Sequence, residues 1–315
     1  MDQVKVFAPA TVANVGCGYD VLGFAVYSPG DEVTVRMTDG SRVMLDLVEG
    51  DDGRLPLDPE KNTVSSVVIS YLKHIGSKHG VGISLCKKMP FGSGLGSSAA
   101  SAVGGLVAVN ELMGNPLTRK ELLPFAMEGE RLACGNAHAD NVAPSLLGGF
   151  VLIRSYDPLD VISLPVPGDI CCALVYPHIE IPTLAARQII RQNIPMKDAI
   201  RQWGNVGALV AGLYSDDLKL IGRSMEDVIV EPVRKMLIPG FDRLRETAVE
   251  NGALGFGISG SGPTVFALCM NRSFAEVAAE ALVNELAGNG VASTSWVSEI
   301  NSEGAVVLPP SGNDC

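Results

Sequence analysis

The run PFGSGLGSSAAS at residues 90–101 sets three glycines (Gly92, Gly94, Gly96) and three hydroxyls (Ser93, Ser97, Ser98) before a small-residue segment, AASAVGGLVAVNELM, that reads as a helix. Glycine lets the backbone take positive φ and approach a ligand closely. The first N–H groups of the following helix lack intrahelical partners, and the helix dipole makes that end locally positive. Loop and helix start together predict an anion site, above all for phosphate. The Gly-Lys-Ser/Thr of a Walker loop is missing, and serines stand where a dinucleotide-binding turn would carry its third glycine. A flexible turn before a buried helix is the plain structural alternative, and the density of glycine and serine argues against it.

Working outward, GISLCKKM (82–89) reads as the strand entering the loop, and helices are predicted at 98–113 and 118–133. The second opens on a capping box, Thr118 with Glu121 three residues on. Upstream lie strand-like runs VKVFAPA, DEVTVRM and RVMLDLV, then a turn-rich stretch at 50–62. The amphipathic helix TVSSVVISYLKHIGSKHG follows, with Asn62 or Thr63 as N-cap. Downstream, GGFVLIRSYDPLDVISLPVPGD (148–169) ends the first half, with a boundary near 155–168. The second half alternates the strand DICCALVYP, helices at 183–193, 197–214, 217–235 and 240–251, the runs FGISG and PTVFALC, a helix at 273–287 and the strand VASTSWV. This order predicts an α+β protein with helices on one side of a mostly antiparallel sheet.

Bulk properties narrow the function. With 315 residues, 47% hydrophobic, the chain can build one large or two ordinary domains with an ample core. A net charge of −11 argues against nucleic acid, which demands clustered Lys and Arg. A local phosphate site remains compatible with an acidic whole. The seven cysteines show no CxxC spacing, and Cys171–Cys172 inside ICCALVY read as small buried hydrophobes of a reducing compartment. No secretory signal pattern and no apolar run near ~20 residues is seen, so a cytoplasmic protein without a membrane segment is expected.

The loop string P-x-x-x-G-L-G-S-S-A-A resembles the phosphate loop of the GHMP superfamily of small-molecule kinases. PATVANVGCGYDVLGFAV (9–26) and GFGISGSGPTVFAL (255–268) agree with it, and together the motifs span most of the chain. Within the superfamily, the first of these and HADNVAPSLLGG (138–149) are most similar to homoserine kinases. The resemblance implies a two-domain GHMP kinase fold: an N-terminal ribosomal protein S5 domain 2-like domain (1–155), a C-terminal ferredoxin-like domain (156–315), and an active site between them. It also implies ATP-dependent phosphorylation of the L-homoserine hydroxyl, in threonine biosynthesis. The alternatives are a GHMP kinase acting on another hydroxylated metabolite and a non-catalytic nucleotide-binding relative. The oligomeric state is left open, a homodimer being one option.

Phosphoryl transfer needs phosphate donors, Mg²⁺ and a held nucleophile. Mg²⁺ takes hard oxygen ligands. Ser98 supplies a hydroxyl near the phosphates, and the resemblance selects Glu130 as the carboxylate, with Glu128 its neighbouring rival. Pro90, Gly92, Ser93, Gly94, Leu95, Gly96, Ser97 and Ser98 form the expected ATP loop, and Asn62 an adenine-side contact. In the HADN cluster, read as a loop, Asp140 and Asn141 are both candidates to face the reacting hydroxyl, and a catalytic base is left open. Asn14, Asp20 and His138 suit an ammonium. Arg187 and Arg234 match the family's carboxylate-binding positions, a task that guanidinium performs bidentately. On residues alone each arginine could equally be a solvated helix face. Thr183 is either an N-cap or a contact to the substrate hydroxyl. The GISGSGPT string (257–264) is expected to support the phosphate loop, and His74, His79 and His178 show no metal-ligand spacing.

Overall fold

The computed structural model describes residues 2–135, 137–181 and 183–309, except for the side chains of 134 and 183–185. Its first layer is a seven-stranded sheet. Strands β1 (Gln3–Ala13), β2 (Leu22–Thr38), β3 (Val43–Glu49) and β4 (Gly80–Cys86) lie with β11 (Val306–Val307) in the order β11-β1-β2-β4-β3. The long β2 pairs with β4 over residues 32–38 and with β5 (Phe150–Tyr156) over 22–24. A hairpin partner, β6 (Leu159–Leu164), completes the sheet, and β3–β4 is its one parallel pair.

Helices α1 (Thr63–His74), α2 (Ser97–Leu112), α3 (Arg119–Cys134) and α4 (Ala139–Leu147) cover this sheet. From Ala99 to Asn110 every residue of α2 is buried, which is why its sequence shows almost no polar face. Its small residues bring the backbones together: a Cβ on Gly104 would stand 2.6 Å from Val33, and one on Gly105 2.6 Å from Val64. The Thr118–Glu121 capping box forms as predicted.

The second layer holds β7 (Cys171–Pro177), β8 (Ala253–Ile258), β9 (Val265–Cys269) and β10 (Ser293–Glu299), antiparallel throughout, in the order β10-β7-β9-β8. Numbered within the domain this is 4-1-3-2, the ferredoxin-like arrangement. Helices α9 (Phe241–Glu250) and α10 (Arg272–Gly288) cover one face through Leu244, Ala248, Ala278 and Leu282. Between β7 and α9 run α5 (Thr183–Gln188), α6 (Met196–Ser215), α7 (Leu218–Ser224) and α8 (Glu231–Arg234), the last followed by a 3-10 turn.

Adjacent residues of β7 and β9 serve different cores. Cys172, Leu174, Phe266 and Leu268 join the core of the first layer, whereas Cys171, Ala173, Val265 and Ala267 pack under α9 and α10. The sheet is thus covered on both faces, and its central strands β7 and β9 are apolar without alternation.

Three sequence expectations need correction. The expected helix over 217–235 is two short helices with a loop at 225–230, because Asp227 accepts backbone N–H bonds from Ile229, Val230 and Glu231 and organises a turn there. The HADN cluster is not a loop: Asp140 and Asn141 occupy the first turn of α4. The thiols are not uniformly free. Cys17, Cys171, Cys172 and Cys269 are free and buried, but Cys86 is disulfide-bonded. The division at 155/156 falls inside the β5–β6 hairpin, and β11 returns the end of the chain to the first sheet. Among the described residues no helix is long and apolar enough to cross a membrane.

Candidate active site

A cavity of about 820 Å³ opens where the two layers meet, lined from both. One end is the glycine-rich loop. Gly92, Gly94 and Gly96 have φ of 63°, 80° and 68°, left-handed conformations that favour glycine, as the sequence predicts. Contact also excludes side chains: a Cβ on Gly94 would lie 2.4 Å from the Ser259 carbonyl, and one on Gly96 2.1 Å from Thr11 Oγ1. The second domain braces the loop, with Ser259 Oγ donating to the Gly94 carbonyl at 2.7 Å and Thr264 N to the Ser93 carbonyl at 3.1 Å. The supporting role of GISGSGPT is therefore visible in its bonds.

Beneath the loop lies a buried ion pair that sequence reading missed. Lys87 Nζ donates to Asp31 Oδ2, to the Ser97 carbonyl at 2.8 Å and to Ser101 Oγ at 2.9 Å. Asp31 Oδ1 in turn accepts Lys88 N at 2.8 Å, so the pair ties together both ends of the loop. The signal available in sequence was the Lys-Lys of CKKMP immediately before the glycines.

Of the expected ATP-loop residues, Gly92, Ser93, Gly94, Gly96, Ser97 and Ser98 line the cavity, and Pro90 and Leu95 do not. Leu95 turns its side chain into the core, leaving its carbonyl to accept Thr11 N at 3.0 Å. Asn62 reaches the cavity wall, but its amide caps α1 (Oδ1 to Val64 N, 3.2 Å) and donates to the Pro56 carbonyl at 2.9 Å. Ser98 Oγ donates to Glu130 Oε1 at 2.6 Å, so the two hard oxygen donors expected at a metal do come together, whereas Glu128 pairs with Arg131 at the surface.

The N-terminus of α4 projects Asp140 and Asn141 into the cavity beside Gly96. Asn141 Oδ1 accepts the Thr11 hydroxyl at 2.7 Å, which leaves its NH₂ to face a ligand. Asp140 is 3% exposed, and its Oδ1 has no partner. Burial, with Asp20 and Glu130 adding repulsion, raises its carboxyl to about 7, against the opposing pull of Arg187. His138 Nδ1 lies 3.6 Å from Asp20 Oδ1, yet burial outweighs that attraction and lowers its pKa, so the imidazole stands neutral.

The β1–β2 connection, which also reaches the cavity, carries several left-handed residues. Asn14, Val15 and Asp20 have φ of 73°, 46° and 59°, and for a β-branched valine such a conformation is strained. Asn14 Oδ1 accepts Asp20 N at 3.0 Å, Asn14 Nδ2 donates to the Gly260 carbonyl, and the Tyr156 hydroxyl donates to the Asp20 carbonyl at 2.7 Å. Arg187 bonds Asp20 at 3.1 Å. Arg234, 3% exposed, donates only to the carbonyls of Ala186 (3.2 Å) and Gly260 (2.9 Å), and among the described residues it forms no salt bridge. Tyr19, another residue the sequence reading passed over, lies under both guanidiniums at 5.8 and 5.2 Å. The side chain of Thr183 lies outside the described residues. Asn14, Asp20, His138, Arg187 and Arg234 thus line the same cavity as the loop.

A cavity holding a glycine-rich anion loop, a Ser–Glu oxygen pair and a buried carboxyl fits phosphoryl transfer to a small molecule. Comparison with known proteins agrees: residues 62–149 match the GHMP kinases N terminal domain and 209–288 the GHMP kinases C terminal domain. The chain is 50% identical to a homoserine kinase of Chloroherpeton thalassium, over 98% of this chain and 100% of that one. A crystal structure of homoserine kinase from Cytophaga hutchinsonii superposes with a TM-score of 0.96 at 56% identity, covering 98% of each chain. The L. major mevalonate kinase structure shares the fold at a TM-score of 0.72 and 16% identity, over 94% of this chain and 95% of that one. The chain belongs to the homoserine kinase family of the GHMP kinases.

Proposed function

We infer that the protein transfers the γ-phosphoryl group of ATP to the side-chain hydroxyl of L-homoserine, giving O-phospho-L-homoserine and ADP for threonine synthesis. The observation that carries the substrate is Arg234, a buried cation facing the cavity with no carboxylate partner among the described residues. An unpaired buried charge is costly, and a ligand carboxylate would satisfy it.

In this reading the loop N–H groups and Ser97 cradle the phosphates. Ser98 and Glu130 are hard oxygen donors of the kind Mg²⁺ takes, and their closeness fits them to hold the ion, which would neutralise phosphate charge. Arg234 and Arg187 take the amino-acid carboxylate. Asp20, with Asn14 and neutral His138 beside it, takes the ammonium. Asn141, its amide oriented by Thr11, donates to the hydroxyl oxygen. That oxygen forms a bond to the γ-phosphorus as the bond to the β–γ bridging oxygen breaks, and Asp140 Oδ1 receives the hydroxyl proton. Transfer thus rests on positioning and charge stabilisation.

The test is a coupled ADP-release assay across homoserine, mevalonate, galactose and shikimate. Turnover with homoserine alone is expected. Preference for a substrate without an amino-acid head would overturn the substrate assignment and leave the kinase reading standing.

A further inference from the structure

Asp20 and Arg187, assigned above to opposite ends of one amino acid, are bonded to each other. Arg187 NH2 lies 3.1 Å from Asp20 Oδ1 and NH1 3.4 Å from Oδ2. Both side chains are less than a quarter exposed, at 22% and 23%, so the pair is partly shielded from water. Asp20 cannot retreat, since its backbone N–H is held by Asn14 and its carbonyl by Tyr156. Arg187 has somewhere else to bind: its NH1 already donates to the Tyr19 hydroxyl at 3.1 Å, and its guanidinium lies over the ring that also underlies Arg234.

We propose that the Asp20–Arg187 pair is a charge filter that only a zwitterion can open. The proposal rests on the amino-acid reading above and adds how other small alcohols are refused. A zwitterion exchanges one internal pair for two new ones, ammonium to Asp20 and carboxylate to Arg187 and Arg234, and leaves no charge unmatched. A ligand with a carboxylate alone takes Arg187 and strands Asp20 close to Asp140. A ligand with an amine alone takes Asp20 and strands Arg187 beside Arg234, two cations over one ring. A stranded, partly buried charge costs more than the new contact returns, so each half-ligand is rejected by the group it does not touch.

This predicts a crossed pattern that independent contacts would not produce. Binding of homoserine, 4-hydroxybutyrate (carboxylate only) and 3-aminopropan-1-ol (amine only) would be measured by calorimetry in wild type, Asp20→Asn and Arg187→Met. Homoserine should weaken in both variants. 4-Hydroxybutyrate should tighten by about tenfold in Asp20→Asn, and 3-aminopropan-1-ol by about tenfold in Arg187→Met, a coupling of ordinary size. Half-ligand affinity that stays unchanged or falls in the variant lacking the opposite group would overturn the filter. Nucleotide affinity and thermal melting check the fold of each variant, and either variant alone decides the question. Wild type that does not bind homoserine would sink the substrate reading, whereas homoserine binding without the crossed gain sinks only the filter.

Discussion

Asp140 owes its chemistry to burial rather than to its type. Desolvation, then Asp20 and Glu130, lift its carboxyl to about 7. Because the folded pKa exceeds the unfolded one, the native state holds a proton that the unfolded chain has already released. Stability from this residue is therefore present at low pH and lost as pH rises from the ordinary carboxyl range through about 7. Asp140→Asn should flatten that decline when melting temperatures are compared between pH 5 and 8. In the active enzyme the ionised form is the useful one, so kcat/KM should climb through the same window. The variant should lose about 10²–10⁴-fold in turnover while keeping homoserine affinity. An unchanged pH–rate profile in the variant would remove Asp140 from the proton path. Arg234 carries the second residue-scale expectation. Arg234→Leu should raise the KM for homoserine by tens-fold or more, since loss of one partner in a buried charged pair costs about 2–5 kcal/mol. Nucleotide affinity should barely change. Equal weakening of homoserine and of an analogue lacking the carboxylate would assign Arg234 to the fold instead.

At the scale of elements, the glycine-rich loop joins local conformation to long-range contact. Gly96 is the N-cap of α2 at φ 68°, and its missing side chain leaves room for Thr11 and Asn141. Gly96→Val would be strained by backbone and by contact at once. It should abolish measurable nucleotide binding in calorimetry and also misplace the Asn141 amide. Intact ATP affinity in this variant would mean that the loop is only a turn. The loop was legible because its requirement for positive φ is written locally in glycine. The first turn of α4 was less so, since HADN offers residues that cap turns as readily as they start helices. The break after α7 was hidden for a similar reason. MEDVIVEP carries no glycine to announce a break, and the turn built on the Asp227 carboxylate separates the two helices.

For the whole molecule, the two layers share a core. Cys172, Leu174, Phe266 and Leu268 of the second sheet, with Leu209 and Leu213 of α6, pack into the cluster that contains β1, β2 and α2. Neither half buries its apolar faces alone, so calorimetry should show a single unfolding transition. ATP and homoserine together should raise its midpoint without splitting it. Two resolved transitions would mean that the layers are independent domains.

The order of most strands and helices, the glycine-rich loop and the capping box were set by sequence alone. Each depends on conformational preference or periodicity within a few neighbouring residues. The pairings that turn candidates into a site were decided only in three dimensions. Thr11 orients Asn141 across 130 positions, Arg187 meets Asp20 across 167, and Ser259 braces Gly94 across 165. Tyr19, Lys87 and Asp31 gained their places in the same way. No local pattern encodes such contacts, because the energy that selects them comes from burying two sheets against each other. Burial is also what leaves Asp140 holding its proton near neutrality.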